Sequence, residues 1–206
     1  MKIPYVGIAF LTILLLMRNK VSAAALSKIN VGSRTRTRIN IDNKDFFTNY
    51  PLLPVVANEW TKIPVADLIK KLKSSGFDPA VAKSIYGIIL NEAARDKSKK
   101  NFIGINNNYS GVQTDSGVWG YANFVGQTAK VDSGGYNRMF AVFDDLDSFL
   151  AFMESRVIAK GLDKAATPTE WSRLYLTNWV GKTPTSALIA NKEAIYKSAL
   201  KQYSSK

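Results

Sequence analysis

The chain contains no cysteine and no histidine. Without cysteine there are no disulfides, thiol nucleophiles or cysteine-ligated zinc centres. Without histidine the Ser–His–Asp arrangement and the imidazole ligands of zinc and haem enzymes are excluded as well. Proton transfer near neutral pH then falls to Asp, Glu, Tyr or Lys. Lack of cysteine fits oxidising and reducing compartments alike. Acidic residues are also few: 16 Asp and Glu stand against 28 Lys and Arg, a net charge of +12. Such an excess favours polyanions (nucleic acid, anionic lipid, acidic wall polymer) or serves solubility alone. With 46% hydrophobic and 21% charged residues over 206 positions, the chain reads as one globular domain of ordinary size that builds its core without staples. It shows no internal repeat.

What is present begins with a long apolar run, residues 3–17. As a helix it spans roughly 22 Å, short of the ~30 Å hydrocarbon core, and so suits the apolar region of a signal peptide. Lys2 supplies a thin positive start, and Val21-Ser22-Ala23 resembles a cleavage site. Arg18 and Lys20 lie between the run and that site, which instead suits an uncleaved short anchor with a basic flank. Residues 1–23 are therefore expected to be a signal peptide or short membrane anchor, with membrane association through residues 3–17. Residues 24–45 hold Arg34, Arg36 and Arg38 alternating with Thr and read as a solvated basic linker. No aromatic residue is interleaved there, so a single-strand nucleic-acid platform has little support. Residues 46–206 are expected to form the folded domain.

Helical periodicity organises that domain. Val65, Leu68, Ile69 and Leu72 make one stripe, with Pro64 in the first turn and Gly76 at the stop. Asp78 as N-cap and Pro79 as first residue open a second helix with Val81, Ile85, Ile88 and Ile89 buried. Glu92 falls on the same stripe, at its end. Desolvation there raises a carboxyl pKa and keeps a proton available near neutrality; the plainer alternative is an ion pair with a neighbouring Lys or Arg. Residues 101–143 are rich in Asn, Gly, Ser and aromatics, with hairpin strands expected in YSGVQT, VWGYANFVG and MFAVF. Trp119, Tyr121, Phe124 and Tyr136 could line a sugar groove or pack under a small sheet. A third helix follows a cap near Asp144, with Leu146, Phe149, Leu150 and Met153 buried. TPTEWSRLYLTNW carries a capping box at Thr167 and Glu170, and a last helix opens at Thr183-Pro184 and holds a Glu193–Lys197 pair. The expected fold class is α+β, mainly helical, with a small β-rich insertion.

A helix ending in Glu92, then Asn101, Phe102, Gly104 and Ile105, then a hairpin region, then Phe140, Phe143, Asp144 and Ser148 at a strand-to-helix junction, resembles the glucosaminidase group of peptidoglycan hydrolases in the lysozyme-like superfamily. The likeness spans about residues 64–203. The chain departs from that pattern where Ala-Ala-Arg-Asp follows Glu92 in place of Ser-Gly-Trp-Gly, and where Phe143 stands in place of Tyr.

The resemblance implies a lysozyme-like helical domain with a small β-hairpin lobe and Glu92 as the acid that protonates the leaving oxygen of a glycosidic bond. Asp115 or Asp132 would serve as the second carboxylate. If neither reaches, the substrate's N-acetyl group assists, or a single acid cleaves without water as in lytic transglycosylases. Asn101, Phe102, Asn106, Trp119, Tyr121 and Tyr136 are expected along the groove. The Asn residues would bind N-acetyl or hydroxyl groups, or simply serve turn chemistry. No metal or cofactor is implied. The partner is the peptidoglycan glycan strand, the chain a monomer secreted, periplasmic or anchored at the cell envelope, or carried on a virion. Two rivals stand beside this reading: a non-catalytic lysozyme-like wall-binding or virion protein, and a basic nucleic-acid-binding protein.

Overall fold

The computed structural model describes residues 55–114, 124–131, 135 and 137–206. The N-terminal run, the Arg-Thr segment, Asp115, Trp119, Tyr121, Asp132 and Tyr136 lie outside the described residues. The fold is α+β. Strand β1 (Trp60–Pro64) leads into α1 (Val65–Ser74) and α2 (Pro79–Glu92). Strands β2 (Ala94–Arg95), β3 (Asn101–Ile105), β4 (Gly126–Val131) and β5 (Asn137–Val142) follow, and then α3 (Leu146–Ala159). A 3-10 turn (Leu162–Lys164), α4 (Pro168–Leu174), a π-helical segment (Tyr175–Val180) and α5 (Ser186–Ser204) complete the chain. Among the described residues no helix is long and apolar enough to cross a membrane.

Helix α2 is the centre. Its cap is as expected: Asp78 accepts from Ala80 N and Pro79 takes the first position. Burial extends well beyond one stripe, because Val81, Ala82, Ser84, Ile85, Tyr86, Gly87, Ile88 and Ile89 are all buried. A helix sequestered on nearly all sides lies inside the domain; α1, α3, α5 and the 3-10 turn pack around it. Each of its fully buried Ile side chains contributes about 1.5–3 kcal/mol through removal from water.

Two small antiparallel sheets sit beside the helices. One has the order β1-β3-β2, with Trp60 opposite Ile105, Ile63 opposite Phe102 and Ala94 opposite Ile103. The other is the β4-β5 hairpin, with Thr128 opposite Phe140 and Lys130 opposite Arg138. Residues 55–58 stitch the two together: Val56 N donates to Gln127 O at 2.9 Å and Asn58 Nδ2 to Ala129 O at 3.1 Å. Gly104 is required where it stands, since a Cβ there would lie 2.9 Å from both Asn108 O and the Tyr109 ring.

Several boundaries differ from expectation. Pro64 closes a strand as well as preceding α1. The α3 cap is Asp145, whose carboxylate accepts from Ser148 N at 2.8 Å. The last helix starts at Ser186 behind Thr185. In the α4 capping box Glu170 reaches Ala166 N at 2.8 Å, one residue upstream of the Thr167 cap. Residues 109–114 form no strand, because the turn before them is held instead by side-chain amides.

Candidate active site

Glu92 ends α2. Ala93 turns to extended backbone while its N–H still bonds Ile89 O at 2.9 Å, so the chain leaves the helix toward β2 directly after the carboxyl. The hydroxyl of Tyr175, the first residue of the π segment, donates to Glu92 Oε1. Tyr175 is 1% exposed. A three-ring stack fixes it: Trp171 lies parallel to Tyr175 with centroids 5.1 Å apart and to Tyr196 at 4.0 Å. The stack abuts α2 at Gly87, where a Cβ would come within 2.6 Å of Tyr196 and 3.1 Å of Trp171. Trp171 Nε1 donates to Ser84 Oγ at 3.1 Å, and Ser84 Oγ to Leu162 O at 3.2 Å. Two residue types on α2, a small hydroxyl and a glycine, thus receive the rings that position the phenol.

The electrostatics of the pair are opposed. Burial pushes the Glu92 carboxyl up from its ordinary pKa. The Tyr175 hydrogen bond, then the charges of Lys192 and Lys182, pull it back only in part. Glu92 as a residue is exposed, even though its carboxyl is crowded enough to be desolvated. Water reaching a side chain that protein atoms still surround describes a recess, not a convex surface, and the surroundings of the carboxyl itself decide its proton affinity. Burial likewise raises the Tyr175 phenol, reinforced by the Glu92 charge and the hydrogen bond, so the phenol stays protonated as donor. The Lys192 ammonium lies 5.5 Å from the Tyr175 ring centroid. Glu92 makes no ion pair among the described residues; its hydrogen-bond partner is a phenol and the lysines act through charge.

The other expected site residues are placed as follows. Phe102 is fully buried, stacked under the Arg95 guanidinium at 4.5 Å and edge-on to Tyr86 at 6.1 Å. It is a core residue, and a ring without exposed surface has none to offer a sugar. Asn101 Nδ2 donates to Asp96 Oδ2 at 2.6 Å, within a turn where Asp96 also accepts from the backbone of Lys100 and Asn101. Those bonds hold the Asp96 carboxyl at about 2. Asn106 is 6% exposed and gives both ends of its amide to backbone: Oδ1 accepts from Glu59 N at 2.5 Å and Nδ2 donates to Ala57 O at 3.0 Å. Its φ of 50°, like the 60° of Asn107, is the left-handed conformation Asn tolerates. For Asn106, turn chemistry therefore replaces sugar binding. Phe124 is buried against Phe143 and Phe152, with centroids 5.4 and 5.2 Å apart.

Tyr175, Lys182 and Lys192 carried no mark in the sequence, for they lie 83 or more positions from Glu92. The only local sign is the unusual pairing of two aromatics, Trp171 and Tyr175, four apart on a helix otherwise read as capping and core. Among the described residues no three Asp or Glu side chains converge as a metal site requires. A depression of about 600 Å³ beside α1 is lined by Lys70, Lys73, Lys206 and Asp67 and does not include Glu92. Comparison with protein-family models, curated proteins and solved structures finds no match to this chain.

Proposed function

We propose that the chain is a glycosidase of peptidoglycan with a lysozyme-like arrangement, in which Glu92 protonates the leaving oxygen. The observation that carries this reading is a carboxyl at a helix end whose proton affinity is raised by burial while one of its oxygens is held by a protonated phenol. Engagement of Oε1 by Tyr175 leaves Oε2 as the oxygen that carries and delivers the proton. Lys182 and Lys192 keep the pKa from climbing so high that the proton is never released, and they add positive charge where an acidic glycan approaches. The order of elements around Glu92 supports the same reading: the Asn101–Ile105 strand, the β4-β5 hairpin and the Phe143-Asp144 entry to α3 follow in the sequence of the glucosaminidase pattern. Asp115 and Asp132 are the candidates for a second carboxylate. Attachment at the cell envelope through residues 3–17 completes the proposal.

The test is product analysis on purified walls. The wild-type chain is expected to release new reducing ends if it is a hydrolase, or anhydro-sugar ends if it is a transglycosylase. Glu92→Gln should lower release by about 10²–10⁴-fold, the scale of a lost general acid. No product from the wild type on walls of several bacteria rejects the catalytic reading.

A second reading, a non-catalytic wall-binding protein, has one observation in its favour. The Tyr175 donor stabilises the charged form of Glu92, which is the wrong form for a proton donor. That reading expects wall binding to survive Glu92→Gln unchanged while no sugar is released.

A further inference from the structure

Side chains alternate across a strand, so Trp60, Lys62 and Pro64 of β1 share one face of the three-stranded sheet, and all three are exposed. Their partners on β3 are Ile105, Ile103 and Asn101, and Ile103 in turn faces Ala94 of β2. The opposite face holds the buried Ile63 and Phe102. One continuous outward surface therefore runs from Trp60 on one edge strand to Ala94 on the other, two residues beyond Glu92. Crossing two strand spacings covers about 10 Å, a distance that a short oligosaccharide bridges.

The Trp60 end is built from more than exposure. Trp60 is 63% exposed, a large apolar side chain left in water. The Lys130 ammonium stands 5.7 Å from its ring centroid and 5.8 Å from that of Phe140, held between two aromatic faces. Lys130 is also directly opposite Arg138, a like-charged cross-strand pair of the kind that weakens a hairpin. An open indole face with ammonium groups beside it complements a ligand with a flat apolar side and a negative substituent. A pyranose bearing a carboxylate has both. A nucleic acid instead calls for cations that track a phosphate backbone, and this surface alternates apolar and cationic groups.

We propose that the outward face of the β1-β3-β2 sheet binds a carboxylate-bearing glycan, with Trp60 stacking on a sugar ring and Lys130 pairing with the carboxylate. The proposal rests on the glycosidase reading for its substrate, and it names the part of the glycan remote from Glu92.

The experiment is calorimetric titration of the full chain carrying Glu92→Gln. The probes are a tetrasaccharide of alternating N-acetylglucosamine and N-acetylmuramic acid, the N-acetylglucosamine tetrasaccharide without carboxylates, and an oligoglutamate peptide. The muramic-acid glycan is expected to bind tightest. Trp60→Ala should weaken it about tenfold, while Trp60→Tyr, which keeps a ring, stays within about threefold. Lys130→Met should abolish the preference over the uncharged tetrasaccharide. Unchanged glycan affinity in Trp60→Ala, tighter binding of the peptide, or no glycan binding at all overturns the proposal. Wall digestion by the wild type separates the two claims. Digestion with a Trp60→Ala KM equal to wild type removes this surface and leaves the glycosidase standing. Glycan binding through Trp60 without digestion keeps the surface and removes the catalysis.

Discussion

One proton on Glu92 is subject to two opposite pulls, burial holding it and the Tyr175 hydrogen bond with two lysines loosening it. Tyr175→Phe keeps the ring in the stack and removes the donor. With a pKa-lowering contact gone, the carboxyl binds its proton more tightly, so the alkaline limb of the kcat/KM profile is expected to move to higher pH. The maximal rate should fall by about tenfold or more, because an unheld carboxyl no longer presents one oxygen to the substrate. A profile identical to wild type would show that the phenol does not act on the acid. At this scale only half the site was legible. Glu92 could be found from helical spacing, since Ile85, Ile88 and Ile89 define the stripe it ends. Tyr175 could not, because the contact joins residues 83 apart and no local pattern encodes it. Asn106 and Phe102 misled for a related reason: a motif position says nothing of whether a side chain meets solvent or the core.

At the scale of elements, α1, α2, α3 and α5 were readable because each repeats apolar residues at helical spacing and carries a capping side chain or proline. β1 was not, because its five residues precede a strong helix and its pairing with β3 is set by partners 37 to 45 positions away. The change from α4 to the π segment was also hidden, since Tyr175–Val180 has the composition of an ordinary helix end. Gly87 tests the packing that supports the site. Gly87→Ala raises intrinsic helix propensity, yet its methyl would press on Tyr196 and Trp171. The expected net effect is destabilisation of about 1–3 kcal/mol, read as a lower midpoint in chemical denaturation, together with altered Trp fluorescence. A midpoint at or above that of wild type would mean the rings yield freely.

Across the whole molecule, charge is unevenly shared. Residues 1–54 hold eight basic residues and two acidic ones, half of the chain's net +12. Attraction between such a surface and an anionic wall is screened over about 10 Å at 0.1 M salt. Adsorption of the full chain to walls is therefore expected to weaken about tenfold or more between 0.05 and 0.5 M salt, and more steeply than that of a chain beginning at residue 46. Equal slopes would place the attraction in the folded part alone.

The π segment has a consequence for how this chain tolerates change. Its turns hold more residues than those of α4 before it, and the backbone closes at Gly181, where the Gly181 and Lys182 N–H groups both return to Leu176 O. A deletion of one residue between Leu176 and Val180 would let the stretch rewind as ordinary helix, turning whatever follows by about 100°. Lys182 would then face another direction while every ring in the stack kept its identity. Here the count of residues, more than their kind, sets the phase between the phenol and the cation that share one acid.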